Sequence, residues 1–191
     1  MGRTEIIFAG LGGQGMITAG IILARTIAIY GKKFVAQSQS YGPEARGGSA
    51  RSEVIVSDEE IIYPHVINPD ILVIMSKEAM EKYLNKLKPN GILLYDSSIL
   101  ERPKRKSINI YAIPATKIAF ENLNTKTVAN IVMLGALIQI TKIINKELVE
   151  KTIKEVFPEK FWEVDIKALN IGVEFAKKFT RSSQEVSQQQ K

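Results

Sequence analysis

Apolar and polar positions along this chain follow two periods. Short apolar runs bounded by glycine, proline or Asn/Asp read as buried strands at residues 5–9, 33–37, 71–75, 92–95 and 109–113. Residues 49–57 alternate instead. Ala50, Ser52, Val54 and Val56 fall on one side and Arg51, Glu53 and Ile55 on the other, the pattern of a half-exposed strand. Ile61-Ile62-Tyr63 reads as a short partner strand ended by Pro64. Helical spacing appears at 16–30, with Ile17, Ile21, Ala24 and Ala28 on one face and Gly31 as the stop. A second helix, 77–87, starts at a capping Ser76 and stops at Pro89-Asn90-Gly91.

The last third is helical. It predicts a short helix from 115 to 120 and a long core helix over 128–144. An amphipathic helix follows over 146–156, with Leu148, Ile153 and Val156 inward, and a final one over 164–179. Residues 181–191 are polar without periodicity, the composition of a disordered tail. Strands alternating with helices predict a single α/β domain over 1–180, a three-layer α/β/α arrangement with a mostly parallel sheet. The stretch 50–63 breaks that rhythm and predicts a hairpin or antiparallel edge, which makes the sheet mixed.

Composition narrows the chemistry. A length of 191 residues, 45% of them hydrophobic, supports one sizeable core. The net charge of +6 contains no long basic run interleaved with aromatics, so nucleic acid is not an expected partner. There is no cysteine, which removes disulfides, thiolate zinc sites and iron–sulfur clusters ligated by this chain. His65 is the single histidine, so a multi-histidine metal site is removed as well. The most apolar helix candidate, residues 127–144, carries Asn130, Gln139 and Lys142 and reads as a core helix, not a membrane span. With no signal-like segment, the expectation is a cytoplasmic chain.

Two glycine-rich stretches carry the candidate chemistry. Gly10-Leu11-Gly12-Gly13-Gln14-Gly15 lies between the first strand and the first helix, a Rossmann-like start. A glycine turn there brings unpaired helix N–H groups close to whatever binds, which suits an anion. A nicotinamide dinucleotide site also wants an acidic residue about 20 positions on. None occurs from Leu11 through Pro43. The loop is then either a tight packing turn or a binding loop, and Gln14 either holds it shut through its amide or faces a partner. The second stretch, Ser40-Tyr41-Gly42-Pro43-Glu44-Ala45-Arg46-Gly47-Gly48, combines a rigid turn, opposite charges and a flexible glycine pair. It reads as a solvated loop or as a preformed docking surface, and so much conformational control favours docking. Asp96 ends a strand where α/β proteins place ligands, or caps the turn after it. The basic loop 102–106 reads as solvated, and His65 as structural. No Ser-His-Asp set, carboxylate pair or P-loop lysine is present, so no catalytic residue is assigned.

Taken together, residues 10–15, Gln39 through Gly48 and Arg51-Ser52-Glu53-Val54 resemble the gamma subunit of 2-oxoacid:ferredoxin oxidoreductases. Tyr63-Pro64, Pro69-Asp70, Tyr95-Asp96-Ser97, Pro114-Ala115 and the segment 130–135 extend the resemblance over residues 4–179. It implies a heteromeric enzyme that oxidatively decarboxylates a 2-oxoacid, forms an acyl-CoA and reduces ferredoxin. The 2-oxoglutarate branch is the most similar one; pyruvate, branched-chain and indolepyruvate enzymes share the unit. The implied partners are alpha and beta subunits and a ferredoxin-like delta subunit or ferredoxin. Thiamine diphosphate, magnesium and iron–sulfur clusters are implied on those partners. The resemblance associates this domain with the coenzyme A side of the site. Gly12, Gly13, Gln14, Gly15 and Arg46 are then expected on the coenzyme A side or at an interface, and Tyr41, Gly42, Glu44, Arg46, Gly47 and Gly48 at an interface. The alternative from a different class is a free-standing dinucleotide-binding protein or NAD(P) dehydrogenase.

Overall fold

Ile6, Ile7, Phe8 and Ala9 are all buried because strand β1 (Thr4–Leu11) is covered on both faces. A continuous apolar run is what such a position selects. The computed structural model describes residues 2–42 and 48–188. After β1 come helix α1 (Met16–Tyr30), strands β2 (Phe34–Tyr41), β3 (Ser49–Ser57) and β4 (Ile71–Ile74), and helix α2 (Lys77–Tyr83) with a 3-10 turn, Leu84–Lys86. Strands β5 (Ile92–Asp96) and β6 (Asn109–Ile113) follow, then helices α3 (Ala115–Leu123), α4 (Ala129–Thr141), α5 (Lys146–Val156) and α6 (Glu159–Gln188).

The six strands lie in the order β2-β3-β1-β4-β5-β6. β1, β4, β5 and β6 run parallel, while β3 is antiparallel to both β1 and β2. The sheet is mixed, as the broken rhythm predicts, but the hairpin partner of β3 is β2. With β1 on one side of β3 and β2 on the other, no edge is left for 61–63, and that segment is irregular rather than a strand. Ile61 and Val66 instead pack down on the sheet. This covering, with α1 on the opposite face, also corrects the expectation of a half-exposed β3. Ser52 and Glu53 are both buried. Strand β2 runs on through Ser38, Gln39, Ser40 and Tyr41, past the predicted end at 37 and into the start of the second glycine-rich stretch.

One face of the sheet carries Ile6, Phe8, Val54, Val73 and Leu94 under α1, α3, α4, α5 and α6. The other carries Ile7, Ile55, Leu72, Ile74 and Leu93 under α2, its 3-10 turn and the 61–66 segment. α1 presents Met16, Ala19, Ile22, Leu23 and Ile27 to the core, whereas Ile21 and Ala28 face outward. The predicted face is thus rotated, because Gly20 must touch β3: a Cβ there would overlap the Ser52 hydroxyl. In α5 the inward residues are Val149, Thr152 and Ile153, with Thr152 bonded to Thr26 of α1 at 2.9 Å. α4 is buried around its circumference and packs tightly on α6. A Cβ on Gly135 would overlap the Leu169 carbonyl, and one on Gly172 the Val132 carbonyl. The final helix starts at Glu159 and reaches Gln188, into the polar stretch whose composition predicts a tail. No described helix is long and apolar enough to cross a membrane.

Candidate functional site

Strand β1 delivers the first glycine stretch to the carboxyl end of the parallel strands. Gly13 and Gly15 there have φ of +94° and +71°, a region that favours glycine. Gly15 is also pressed against α4, where a Cβ would overlap the Asn130 amide. Asn130 answers that contact by donating its Nδ2–H to the Gly15 carbonyl at 2.9 Å. Gln14 closes the loop: its Oε1 accepts from the Leu11 N–H at 2.6 Å, and its Nε2 donates to the Met75 carbonyl at 2.8 Å. Of the two roles open to Gln14, the structure shows the loop-closing one.

The two glycine stretches meet. The Gly12 N–H donates to the Gly48 carbonyl at 2.7 Å, and the Gly42 N–H to the Ser49 carbonyl at 2.6 Å. Tyr41, at the end of β2, is 66% exposed beside them. Glu44, Arg46 and Gly47 lie outside the described residues. Between the stretches is a cavity of about 460 Å³, lined by Gly12, Gly13, Gly15, Thr18, Ile21, Gln39 and Tyr41 among others. α1 has no side-chain cap, and its first intrahelical bond runs from Ala19 to Gly15. The N–H groups of Met16, Ile17 and Thr18 therefore lie free of backbone partners among the described residues, with the partial positive charge of a helix start. This arrangement suits a phosphate or carboxylate. Among the described residues the lining holds one titratable side chain, Tyr41, so these residues can bind and orient but offer no acid–base pair.

The topology removes the dinucleotide alternative at its root. A ribose-binding acid must stand on a parallel strand next to β1. Here the strand after α1 is β2, two places away, with antiparallel β3 between.

Other singled-out residues have structural partners. Asp96 is fully buried and accepts from the Thr116 N–H at 2.9 Å, the Thr116 hydroxyl at 2.5 Å, the Ser98 N–H at 3.0 Å and the Ser98 hydroxyl. Through Ser98 it caps the turn after β5, the capping option, and through Thr116 it also holds the start of α3. Asp70 accepts from the Glu5 N–H at 2.8 Å and from Lys88 at 3.0 Å, pinning β1 beside β4. Arg105, expected to be solvated, donates to the Leu87 carbonyl at 2.6 Å.

Two sites were not legible from residue patterns. Glu53, 2% exposed, accepts from Ser38 Oγ at 3.0 Å and the Val66 N–H at 3.2 Å, with Arg51 at 3.1 Å and His65 Nδ1 at 3.4 Å. Arg51 lies over the Tyr83 ring, 5.6 Å from its centroid. Asp165 of α6 is buried near Gly15 and Asn130, and burial pushes its carboxyl up to about 6. Its only signal is an acid at an inward helical position.

No three His, Cys, Asp or Glu side chains gather to hold a metal ion among the described residues. The chain has no cysteine for a cluster.

Comparison with known proteins shows the family of the chain. A family model described as pyruvate ferredoxin/flavodoxin oxidoreductase matches residues 5–175. The 2-oxoglutarate synthase subunit KorC of Methanocaldococcus jannaschii is 47% identical over 177 residues, covering 92% of this chain and 95% of that protein. The crystal structure of the keto/oxoacid ferredoxin oxidoreductase gamma subunit from Geobacter sulfurreducens superposes with a TM-score of 0.83 at 40% identity, covering 92% of this chain and 97% of its own. The fold also recurs, with a TM-score of 0.84 at 24% identity, in the 2-oxoglutarate:ferredoxin oxidoreductase of Magnetococcus marinus, determined with 2-oxoglutarate, coenzyme A and succinyl-CoA bound. There 93% of this chain matches 31% of the longer one. From its glycine loops to its last packed helix, the chain belongs to the pyruvate ferredoxin/flavodoxin oxidoreductase family, as a gamma-type subunit.

Proposed function

We propose that this chain serves a 2-oxoglutarate:ferredoxin oxidoreductase and that its glycine-loop cavity forms part of the coenzyme A side of the assembled site. The observation that carries the substrate is the near end-to-end likeness to a 2-oxoglutarate synthase subunit. The uncapped start of α1 beside the cavity supports an anionic ligand, and coenzyme A brings phosphates. Gly12, Gly13 and Gly15 shape the wall, Gln14 holds it in place, and Arg46 supplies a positive charge from the second stretch. Tyr41, Gly42, Glu44, Gly47 and Gly48 dock on alpha and beta subunits, with a ferredoxin-like delta subunit or ferredoxin completing the complex in the cytoplasm. Those partners hold thiamine diphosphate with magnesium and the iron–sulfur clusters. When bound there, the thiamine supplies the carbanion chemistry, and this chain supplies position and electrostatics.

Anaerobic purification from the native host with this chain as bait tests the reading. A brown complex that reduces a viologen dye with 2-oxoglutarate and coenzyme A is the expected product. The chain recovered alone, or a complex that prefers pyruvate, overturns the substrate. Within that complex, Arg46→Ala should raise the KM for coenzyme A more than that for the oxoacid. An unchanged KM for coenzyme A would remove Arg46 from the channel.

A further inference from the structure

A second cavity, of about 350 Å³, shares Gly15 and Thr18 with the glycine-loop cavity. Its remaining wall comes from the start of α4, the first turns of α6 and Phe157. Asp165 lines it, is 5% exposed, and makes no hydrogen bond or ion pair among the described residues. Asn130 lines it too. Its Nδ2 is committed to the Gly15 carbonyl, and its buried Oδ1 has no partner. A fully buried acceptor, Asn130 Oδ1, therefore stands without a donor beside a carboxylate that has no partner among the described residues, at one cavity. Native structures rarely leave such groups unanswered, and a buried carboxylate needs a counter-charge or a proton.

The rest of the lining restricts what can answer. Val128, Ile131, Phe157, Phe161 and Val164 are apolar, and Thr18, Thr125 and Thr127 add hydroxyls. A hydrated metal cation would desolvate against the apolar part at a loss. A primary ammonium on an alkyl stem fits both parts: methylenes lie along the apolar wall, and three N–H donors reach oxygen acceptors. We propose that this cavity binds a primary ammonium group on an alkyl stem, with Asp165 as its counter-charge. The group comes either from a lysine side chain of a partner subunit or from a free alkylamine. At neutral pH Asp165 is the anion this pairing needs, since its carboxyl titrates near 6. Because Gly15 and Thr18 wall both cavities, occupancy would also fix the loop that faces the glycine-loop cavity.

Equilibrium dialysis of the full chain with radiolabelled n-butylammonium tests the chemistry without any partner. Saturable binding is expected, at least tenfold tighter than that of potassium or plain ammonium. It should weaken at least tenfold in Asp165→Asn. Asp165→Ser, which cannot mimic the carboxyl shape, should behave the same way, with circular dichroism verifying that both variants fold. The starts of α1 and α4 also border the cavity and would favour an anion, so inorganic phosphate is the opposing probe. No saturable butylammonium binding, equal binding by Asp165→Asn, or competitive binding of phosphate would each overturn the proposal.

The assembled complex then separates the two sources. A partner's lysine predicts that the wild-type complex no longer takes up butylammonium and that the Asp165→Asn chain is retained at least tenfold less well. A free amine predicts uptake by the complex equal to that of the isolated chain, and unchanged assembly of the variant.

Discussion

The backbone N–H of Gly12 donates to the carbonyl of Gly48 at 2.7 Å, so the two glycine-rich stretches are one structural unit. The first ends β1 and the second returns the chain from β2 into β3. Their contact follows from the pairing of β1 with β3, which places Leu11 opposite Ser49. A hydrogen bond between backbones uses no side chain of either stretch. This arrangement explains why glycines cluster at two distant points of a chain that builds a single rim.

Gln14 is the latch of that rim. Gln14→Ala removes the acceptor for Leu11 and the donor to Met75 and leaves both backbone groups half-buried. A loss of about 1–3 kcal/mol is expected in the full chain, read as a lower urea midpoint at unchanged slope. Gln14→Glu keeps the acceptor but sets a carboxylate against the Met75 carbonyl, and should lose at least as much. An unshifted midpoint in both variants would show that the amide does not hold the loop.

Gly13 and Gly15 share a positive φ but differ in their surroundings. A Cβ on Gly13 meets nothing within 4 Å, whereas one on Gly15 overlaps the Asn130 amide. Gly13→Ala should therefore cost about 1 kcal/mol from backbone strain alone. Gly15→Ala should cost about 2 kcal/mol or more, the excess coming from the crowded amide. Adding Asn130→Ala to Gly15→Ala should recover part of that excess in a double-mutant cycle, and strict additivity would refute the crowding.

Legibility in the sequence followed the period of the pattern. β6, α1 and α5 occur with the bounds that the apolar runs and stop signals predict, because local turn chemistry decides where such elements end. What was lost is non-local. Alternation in β3 predicts a solvent face, yet β2, the 61–66 segment and α1 surround it, and nothing in residues 49–57 announces those neighbours. The glycine loop was legible as a tight strand-to-helix turn, because the positive φ at Gly13 and Gly15 favours glycine. Asp165 was not, since an acid inside an amphipathic helix reads as surface until the facing helix is in place.

Glu53 is the centre of the buried polar cluster on β3, and its loss leaves Arg51 without its carboxylate partner. Glu53→Ala should cost about 3–5 kcal/mol, the range for removing one member of a buried ion pair. Glu53→Gln keeps acceptors for Ser38 and Val66 and should cost less. His65 is half-exposed at 3.4 Å from the same carboxylate, and His65→Ala should cost under about 1 kcal/mol. Thermal denaturation of the three variants orders them; a His65→Ala loss as large as that of Glu53→Ala would place the histidine inside the cluster rather than at its rim.

Asp165 gives the stability of the isolated chain a pH dependence of unusual sign. Burial raises its carboxyl from an ordinary 3.8 to about 6, so the unfolded chain releases this proton more readily than the folded one. The group's contribution is fully present below about pH 4, falls as pH rises from 4 to 6 and stays low above that. The difference in pKa corresponds to at most about 3 kcal/mol. Exposed Asp58 and Glu163 act in the opposite direction, since hydrogen bonds from Lys33 and Lys167 hold their carboxyls below the usual range. Their effect is common to wild type and Asp165→Asn, so the difference between the two isolates Asp165. The variant should gain on wild type steadily between pH 4 and 6 and hold a constant advantage of about 1–3 kcal/mol above pH 7. Urea unfolding of both chains across pH 4–8 measures that difference. A curve that is flat over this range would mean that Asp165 ionises in the folded chain as it does in the unfolded one, its charge already answered by a partner or by water, and would remove the buried, unanswered anion on which its pairing with an ammonium rests.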